Sequence, residues 1–440
     1  MAATSKPETT VAPTRFRWVV IALIFFITMV NYVDRNAISF AIGDIAHDLG
    51  FAAGDKGLIL GAFGIGYAVT VFFGGIWADH YGAHRTLTAA CLVWSLAIGM
   101  TGLAGGFGVL FAARVGLGLA EGPNFPALNR TVADWLSSRE RAIALSNSLV
   151  AVPLAGVVGG PVVTQLMAAF GWRSMFLALM AIGLLWLPLW WFLFRDFPEH
   201  SPRVDDAELK HIRDADKVSR GMDAHAMHAA RRHSPGLWRF LLTNPTLIAN
   251  NWAFFVFGYF LFFFFTWLPS YFQQAYQLNL KAVGLFTVLP WLLAALLLWG
   301  CGYLSDHVLR RTGKLRLARS YPIWISQLLA AVCILPLVFT HELWVALLFV
   351  SLAVGLSLSA NAAFYAINVD VARERSGTAL GVMDTLLALA GFIAPAVTGW
   401  LVERTGSFAA PFWLLAALAM SSVVVVILFH HPDEARLSRT

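Results

Sequence analysis

Apolar stretches of about 20 residues, separated by short charged or Gly- and Pro-containing segments, limit what this chain can fold into more than any other feature. A helix of that length crosses the hydrocarbon core of a bilayer. Composition agrees: of 440 residues 58% are hydrophobic and 13% charged, whereas a soluble chain carries about 25% charged residues. The polar segment Met1 to Thr14 runs into an apolar stretch beginning near Trp18 that is too long for a signal core and offers no cleavage site, so a retained first anchor is expected.

The apolar runs and their breakers predict helices over 17–40, 56–78, 85–104, 107–130, 142–168 and 174–194. A second set is predicted over 246–272, 281–304, 319–340, 342–368, 375–402 and 408–430. The expected architecture is an all-α integral membrane protein with twelve transmembrane helices in two six-helix, pseudo-symmetric halves. Residues 1–16 form an N-terminal tail, 17–194 and 246–430 the halves, 195–245 a linker and 431–440 a C-terminal tail. Within the linker, Asp205 to Ala230 has the pattern of an amphipathic helix lying on the membrane surface.

Charge placement predicts the orientation. Of the 31 Lys and Arg, Arg35 and Arg114 lie inside helices and Lys56, Arg173, Lys281 and Arg404 fall on one side; the other 25 fall on the opposite side. By the positive-inside rule that richer side, with both termini and the linker, is cytoplasmic. The net charge of +6 therefore reports membrane orientation, and no nucleic-acid partner is expected. Cys91, Cys301 and Cys333 sit in apolar stretches without ligand-like spacing, which argues against a disulfide framework or a metal site.

The halves repeat. Arg139-Glu140-Arg141 and Arg373-Glu374-Arg375 are 234 residues apart, and at the same offset Pro161-Val162-Val163-Thr164 matches Pro395-Ala396-Val397-Thr398. Gly75-Ile76-Trp77-Ala78-Asp79-His80 pairs with Gly302-Tyr303-Leu304-Ser305-Asp306-His307. A parallel duplication explains three matches in one order, and it places a substrate path between the halves.

Two six-helix halves, a central linker and a Gly-x-x-x-Asp loop after the second helix resemble the major facilitator superfamily. Asp79, Gly82 and Arg85 match the superfamily pattern, while His80 and Ala83 depart from it. Physically, Asp79, Arg85 and the second-half Asp306 suit a cytoplasmic gate, in which charge-assisted bonds at helix ends lock the halves together. Arg114-x-x-x-Gly118-x-x-Glu121-Gly122-Pro123-x-Phe125-Pro126, with Asn31-Tyr32-Val33-Asp34-Arg35, is similar to the anion:cation symporter family. Thr266-Trp267-Leu268-Pro269 and Gly391 to Pro395 match it too. That resemblance implies transport of sugar acids, hexuronates, phthalate or related organic anions. Asp384 departs from it, since similar members carry a substrate-contacting Asn there.

The residues support the same chemistry on their own. Asp34, Arg35, Arg114, Glu121 and Asp384 lie deep in apolar helices, where each charge costs at least about 2.5–3.5 kcal/mol, so they are expected to partner one another around a polar cavity. Arg114 and Glu121, seven residues apart, share a helix face. Arg cannot release its proton and its planar fork fits a carboxylate, so Arg35 and Arg114 suit an anion. Asp34 and Glu121 can titrate and are the expected proton carriers. Tyr32, Tyr67 and Asn361 are further candidate substrate contacts, as is Asp384. The twelve histidines fall outside the apolar helices, which argues against a His relay, and the aromatic run Phe260 to Phe265 reads as lipid-facing surface and helix packing.

The expected function is proton-coupled symport of a small organic anion by a monomer in the plasma (bacterial inner) membrane, with no cofactor and no catalytic residue. Sodium coupling and proton-driven efflux are the alternatives. The efflux motif is incomplete, because Gly160-Pro161 is followed by Val162, Val163, Thr164 and Gln165. No His-Glu-x-x-His, nucleophile–base pair or phosphate loop suggests an enzyme or an ATP-driven pump.

Overall fold

The computed structural model describes residues 14–137, 140–213, 237–372 and 376–433, and they are almost entirely helical. We number the long helices in chain order. In the first half these are α1 (Phe16–Leu49), α2 (53–81), α3 (83–102), α4 in two pieces (Phe107–Glu121 and Asn124–Trp135), α5 (141–170) and α6 (172–193). In the second half they are α7 (Pro245–Tyr276), α8 (Leu280–Phe286 and Val288–Thr312), α9 (Tyr321–Phe339), α10 (Leu343–Ser359 and Asn361–Ala372), α11 (Ser376–Thr405) and α12 (Ala409–Phe429). Eight continuous rods are long and apolar enough to cross a bilayer, nine with the bent rod over 53–102. Twelve result once α4 is included and the rods over 53–102 and 141–193 are divided at Gly82 and Gly171.

Those two glycines make the divisions possible. Gly82 (φ 82, ψ 160) and Gly171 (φ 77, ψ 167) occupy a region of backbone space that is essentially closed to other residues. Each reverses the chain between the second and third helix of a three-helix unit without a longer loop. Gly313 and Gly406 also have positive φ and stand at the corresponding connections of the second half. Gly82 also makes room for a neighbour: a Cβ there would lie 2.6 Å from Oδ2 of Asp196, whose Oδ1 accepts from the backbone N–H of His84 at 2.8 Å and caps α3. Asp433, just beyond α12, does the same for α9 by accepting from the N–H groups of Leu315 and Arg316.

The halves meet backbone to backbone at the end of the bundle away from the linker. On α2, Gly57, Gly61 and Gly64 face Pro395, Phe392 and Ala388 of α11, so closely that a Cβ on Gly57 would lie 2.6 Å from the Pro395 carbonyl and one on Gly61 2.7 Å from that of Phe392. On α5, Gly160 faces Gly284 and Thr287 of α8, with 2.8 Å between its would-be Cβ and the Gly284 carbonyl. The repeated Pro161–Thr164 and Pro395–Thr398 segments thus adjoin two equivalent seams. Beside the first seam, Glu403 of α11 accepts from the Gly54 N–H at 2.8 Å, placing a carboxylate on the N-terminus of α2.

Two expectations are corrected. The linker helix seen over 206–213 does not lie free on a membrane surface; the remainder of that expected helix falls outside the described residues. Its fully buried Glu208 accepts from the N–H groups of Phe16 and Arg17, the Thr14 hydroxyl and the Arg17 guanidinium (2.9 Å), while Arg17 also donates to Glu140 at 3.1 Å. An acid at the open N-terminus of α1 satisfies donors the helix cannot, and this binds the linker to the first half. Glu140 is correspondingly held below its ordinary carboxyl range: burial pushes it up, but hydrogen bonds from Arg17 and Ser137 outweigh that. The second correction concerns Phe260, Phe262, Phe263, Phe264 and Phe265, which are buried rather than lipid-facing. They pack inside the bundle, Phe263 on Phe412 and Phe265 on Trp291 and Tyr32.

Candidate functional site

The α4 motif works as a unit. Gly118 and Gly122 let α4 press against α2: a Cβ on Gly118 would lie 2.7 Å from the Tyr67 nitrogen, and one on Gly122 would strike Thr70. Pro123, lacking an N–H, ends the helical run just after Glu121. Arg114 and Glu121 are thereby buried on one face, next to α1 and α2.

Glu121 is paired across helices rather than along its own. Arg35 of α1 donates to Glu121 Oε2 from Nε at 3.0 Å and from Nη2 at 2.8 Å, and Nη2 also reaches Asn31 Oδ1 at 3.5 Å. Three rings surround the Arg35 guanidinium: Phe63 at 4.3 Å, Tyr32 at 4.5 Å and Tyr67 at 4.9 Å. Such faces attract a cation and fix its orientation. Arg114 donates weakly to the Arg35 carbonyl at 3.5 Å and lies 5.5 Å from the same Phe63 ring.

What this cluster leaves unmatched bears on what it can do. Glu121 Oε1, Arg114 Nε, Asn31 Nδ2, both amide atoms of Asn124 and both carboxylate oxygens of Asp34 are buried without a hydrogen-bond partner among the described residues. Buried polar atoms are normally paired, so these groups on α1 and α4 retain hydrogen-bonding capacity for a further partner. Asp34 is 1% exposed and, although adjacent to Arg35 in sequence, makes no ion pair with it among the described residues. It interacts electrostatically with Glu121 and with Cys91 of α3, which places it on the side of α1 turned into its own half.

The second half supplies an opposing pole. Tyr365 of α10 donates its hydroxyl to Asp384 Oδ1 of α11 at 3.0 Å. Asp384 lies within electrostatic reach of Tyr32 and Tyr67, the two tyrosines that pack on Arg35. Asn361, one helical turn before Tyr365, keeps its side-chain oxygen buried without a partner.

The expected gate residues sit at the linker end but bond inside their own halves. Asp79 accepts from Arg130 of α4 at 3.0 Å, and Arg130 also holds Asp134 at 2.6 Å. Asp306 pairs with Arg319 at 2.9 Å. Arg85 is exposed and forms no ion pair among the described residues. In this conformation the motif braces each half rather than locking the two together. The sequence reading missed Phe63, the ring shared by both arginines; its spacing of four from Tyr67 was the available signal. Glu208, Asp196 and Glu403 were also missed, being ordinary acids in polar segments whose partners lie far away in sequence.

The family model described as Major Facilitator Superfamily matches residues 24–318 and 312–440. A hexuronate transporter of Bacillus subtilis (strain 168) is 33% identical over 418 residues, covering 94% of this chain and 94% of the relative. A probable sulfoacetate transporter of Cupriavidus necator is 34% identical over 421 residues, covering 94% of this chain and 95% of that one. Among solved structures, a bacterial homologue of the human lysosomal transporter Spinster, in an inward-facing and unoccupied conformation, is similar with a TM-score of 0.74 at 16% identity, covering 97% of this chain and 99% of the other.

Proposed function

Because the chain belongs to the Major Facilitator Superfamily, and so is a membrane transporter rather than an enzyme, we propose that it carries a small organic anion together with protons by alternating access. The anion is a sugar acid, a hexuronate or a related carboxylate. The observation that carries this reading is the Arg35–Glu121 pair beside Arg114, whose Nε has no partner among the described residues. An incoming carboxylate satisfies Arg114 and competes with Glu121 for Arg35. Once Arg35 turns to the substrate, Glu121 is a buried carboxylate without its counter-charge, and taking a proton relieves the cost. Asp34, buried and unpaired, is the second proton carrier. Binding of the anion and of protons then favour each other, which is the thermodynamic content of symport.

The two seams supply the conformational side. With the linker end cytoplasmic, as the charge distribution predicts, the two seams close the conformation to the outside. Tyr32 and Tyr67 sit between the halves, where they can hold substrate hydroxyls. The setting is the plasma membrane, with both termini cytoplasmic and the chain acting as a monomer.

Reconstituted vesicles test the coupling. Under an imposed pH gradient the wild type should concentrate its anion, while Glu121→Gln and Asp34→Asn should lose pH-driven accumulation, at least one of them retaining anion-for-anion exchange. If both variants still accumulate substrate against its gradient, proton coupling through these acids is wrong.

A further inference from the structure

Asp384 faces the site from the half opposite the arginines, and its surroundings bear on which anion can enter. One oxygen accepts from Tyr365 at 3.0 Å; the other accepts no hydrogen bond, and no cation pairs with the carboxylate, among the described residues. The side chain is only partly buried. Tyr32 and Tyr67 lie within electrostatic reach of it, and their rings pack on Arg35 at 4.5 and 4.9 Å. The site is therefore dipolar, with guanidinium groups on α1 and α4 and an acceptor-only group on α11.

A ligand that spans it has to be dipolar in the opposite sense. Its carboxylate belongs at Arg35 and Arg114, and the far end has to supply hydrogen-bond donors to Asp384. A second anionic group at that end would meet a carboxylate of like charge, an arrangement that excludes partners effectively. The two relatives divide on this point: a hexuronate has one carboxylate and several hydroxyls, whereas sulfoacetate has an anionic group at each end and no donor.

Building on the anion-transport reading above, we propose that Asp384 is a specificity-determining residue that admits monocarboxylates bearing hydroxyl or ammonium donors and rejects dianions. The carboxylate does this twice over. It accepts from a substrate donor in place of a lost solvent bond, and it repels a second negative charge. Tyr365 acts as a positioning residue, holding one oxygen so that the other points to the ligand.

The test is ligand-induced stabilisation of the purified full-length protein. Glucuronate and gluconate stand for hydroxy monocarboxylates, 4-aminobutyrate for a zwitterionic monocarboxylate with an ammonium donor, and sulfoacetate and succinate for donor-free dianions. The wild type should bind at least one donor-bearing monocarboxylate about tenfold or more tighter than either dianion, and which monocarboxylate wins tells hydroxyl from ammonium recognition. Asp384→Asn should narrow that ratio about tenfold, chiefly by gaining affinity for the dianions; if it does not express, Asp384→Ser carries the same expectation. Tyr365→Phe, which keeps the carboxylate, should still exclude dianions. Wild type that binds both classes equally, or a ratio unmoved by Asp384→Asn while binding persists, would overturn this proposal and leave anion transport standing. If no anion stabilises the wild type, the transport reading itself fails.

Discussion

At the scale of single residues, the site turns on how few of its buried charges are matched by a partner. Arg114 is buried with Nε unmatched, while Arg35 is already engaged with Glu121. Removing either arginine leaves buried acid with less compensation, a loss of order 3–5 kcal/mol when a buried pair is broken. Arg114→Ala should therefore abolish anion binding measured by thermal shift. Arg114→Lys should restore little, because an ammonium offers neither the planar fork nor Arg114's stacking on Phe63. Near-normal affinity in Arg114→Ala would remove this residue from the anion site. The deep charges were legible in the sequence because a bilayer makes each of them expensive. Their pairing was not. Arg114 and Glu121 share a helix face, yet Glu121 bonds Arg35, since the glycines of α4 bring it up to α1 and α2. Register along one helix says nothing about which neighbouring helix will be closest.

At the scale of elements, the glycines of α2 set how closely the halves can approach. Gly61 already has the Phe392 carbonyl where its Cβ would stand. Gly61→Leu should force α2 from α11 and disfavour the conformation sealed at that end, whereas the same change at Gly75, which has open space around it, should have no such effect. Accessibility of a cysteine introduced at Thr287, 1% exposed within the α5–α8 seam, measured with an impermeant maleimide, should rise in the first variant and not in the second. Equal labelling in both would show that the seam does not set the balance between conformations. Helix placement was readable because apolar length is a strong signal. The linker was not, because docking of its helix depends on Glu208 meeting donors some 191 residues away. The aromatic run of α7 was misread for a related reason: in a membrane protein, lipid-facing and buried helix surfaces are both apolar, so composition does not tell them apart.

For the whole molecule, the duplication seen in three short matches extends further than the sequence revealed. The α2–α11 and α5–α8 seams are equivalent, Asp196 and Asp433 cap equivalent helices, and positive-φ glycines recur at Gly82, Gly171, Gly313 and Gly406. The intramembrane charges break this symmetry. Asp34, Arg35, Arg114 and Glu121 all belong to the first half, whereas Asp384 belongs to the second. The inheritance of the two tasks is then separable. On the function proposed above, energy conversion belongs to one half and the choice of cargo largely to the other, so the halves can diverge at different rates without spoiling one another. A hybrid chain joining residues 1–236 of this protein to the second half of the probable sulfoacetate transporter of Cupriavidus necator should keep its response to an imposed pH gradient while taking on the relative's preference among anions. A hybrid that kept the present preference would mean that cargo, too, is chosen by the first half.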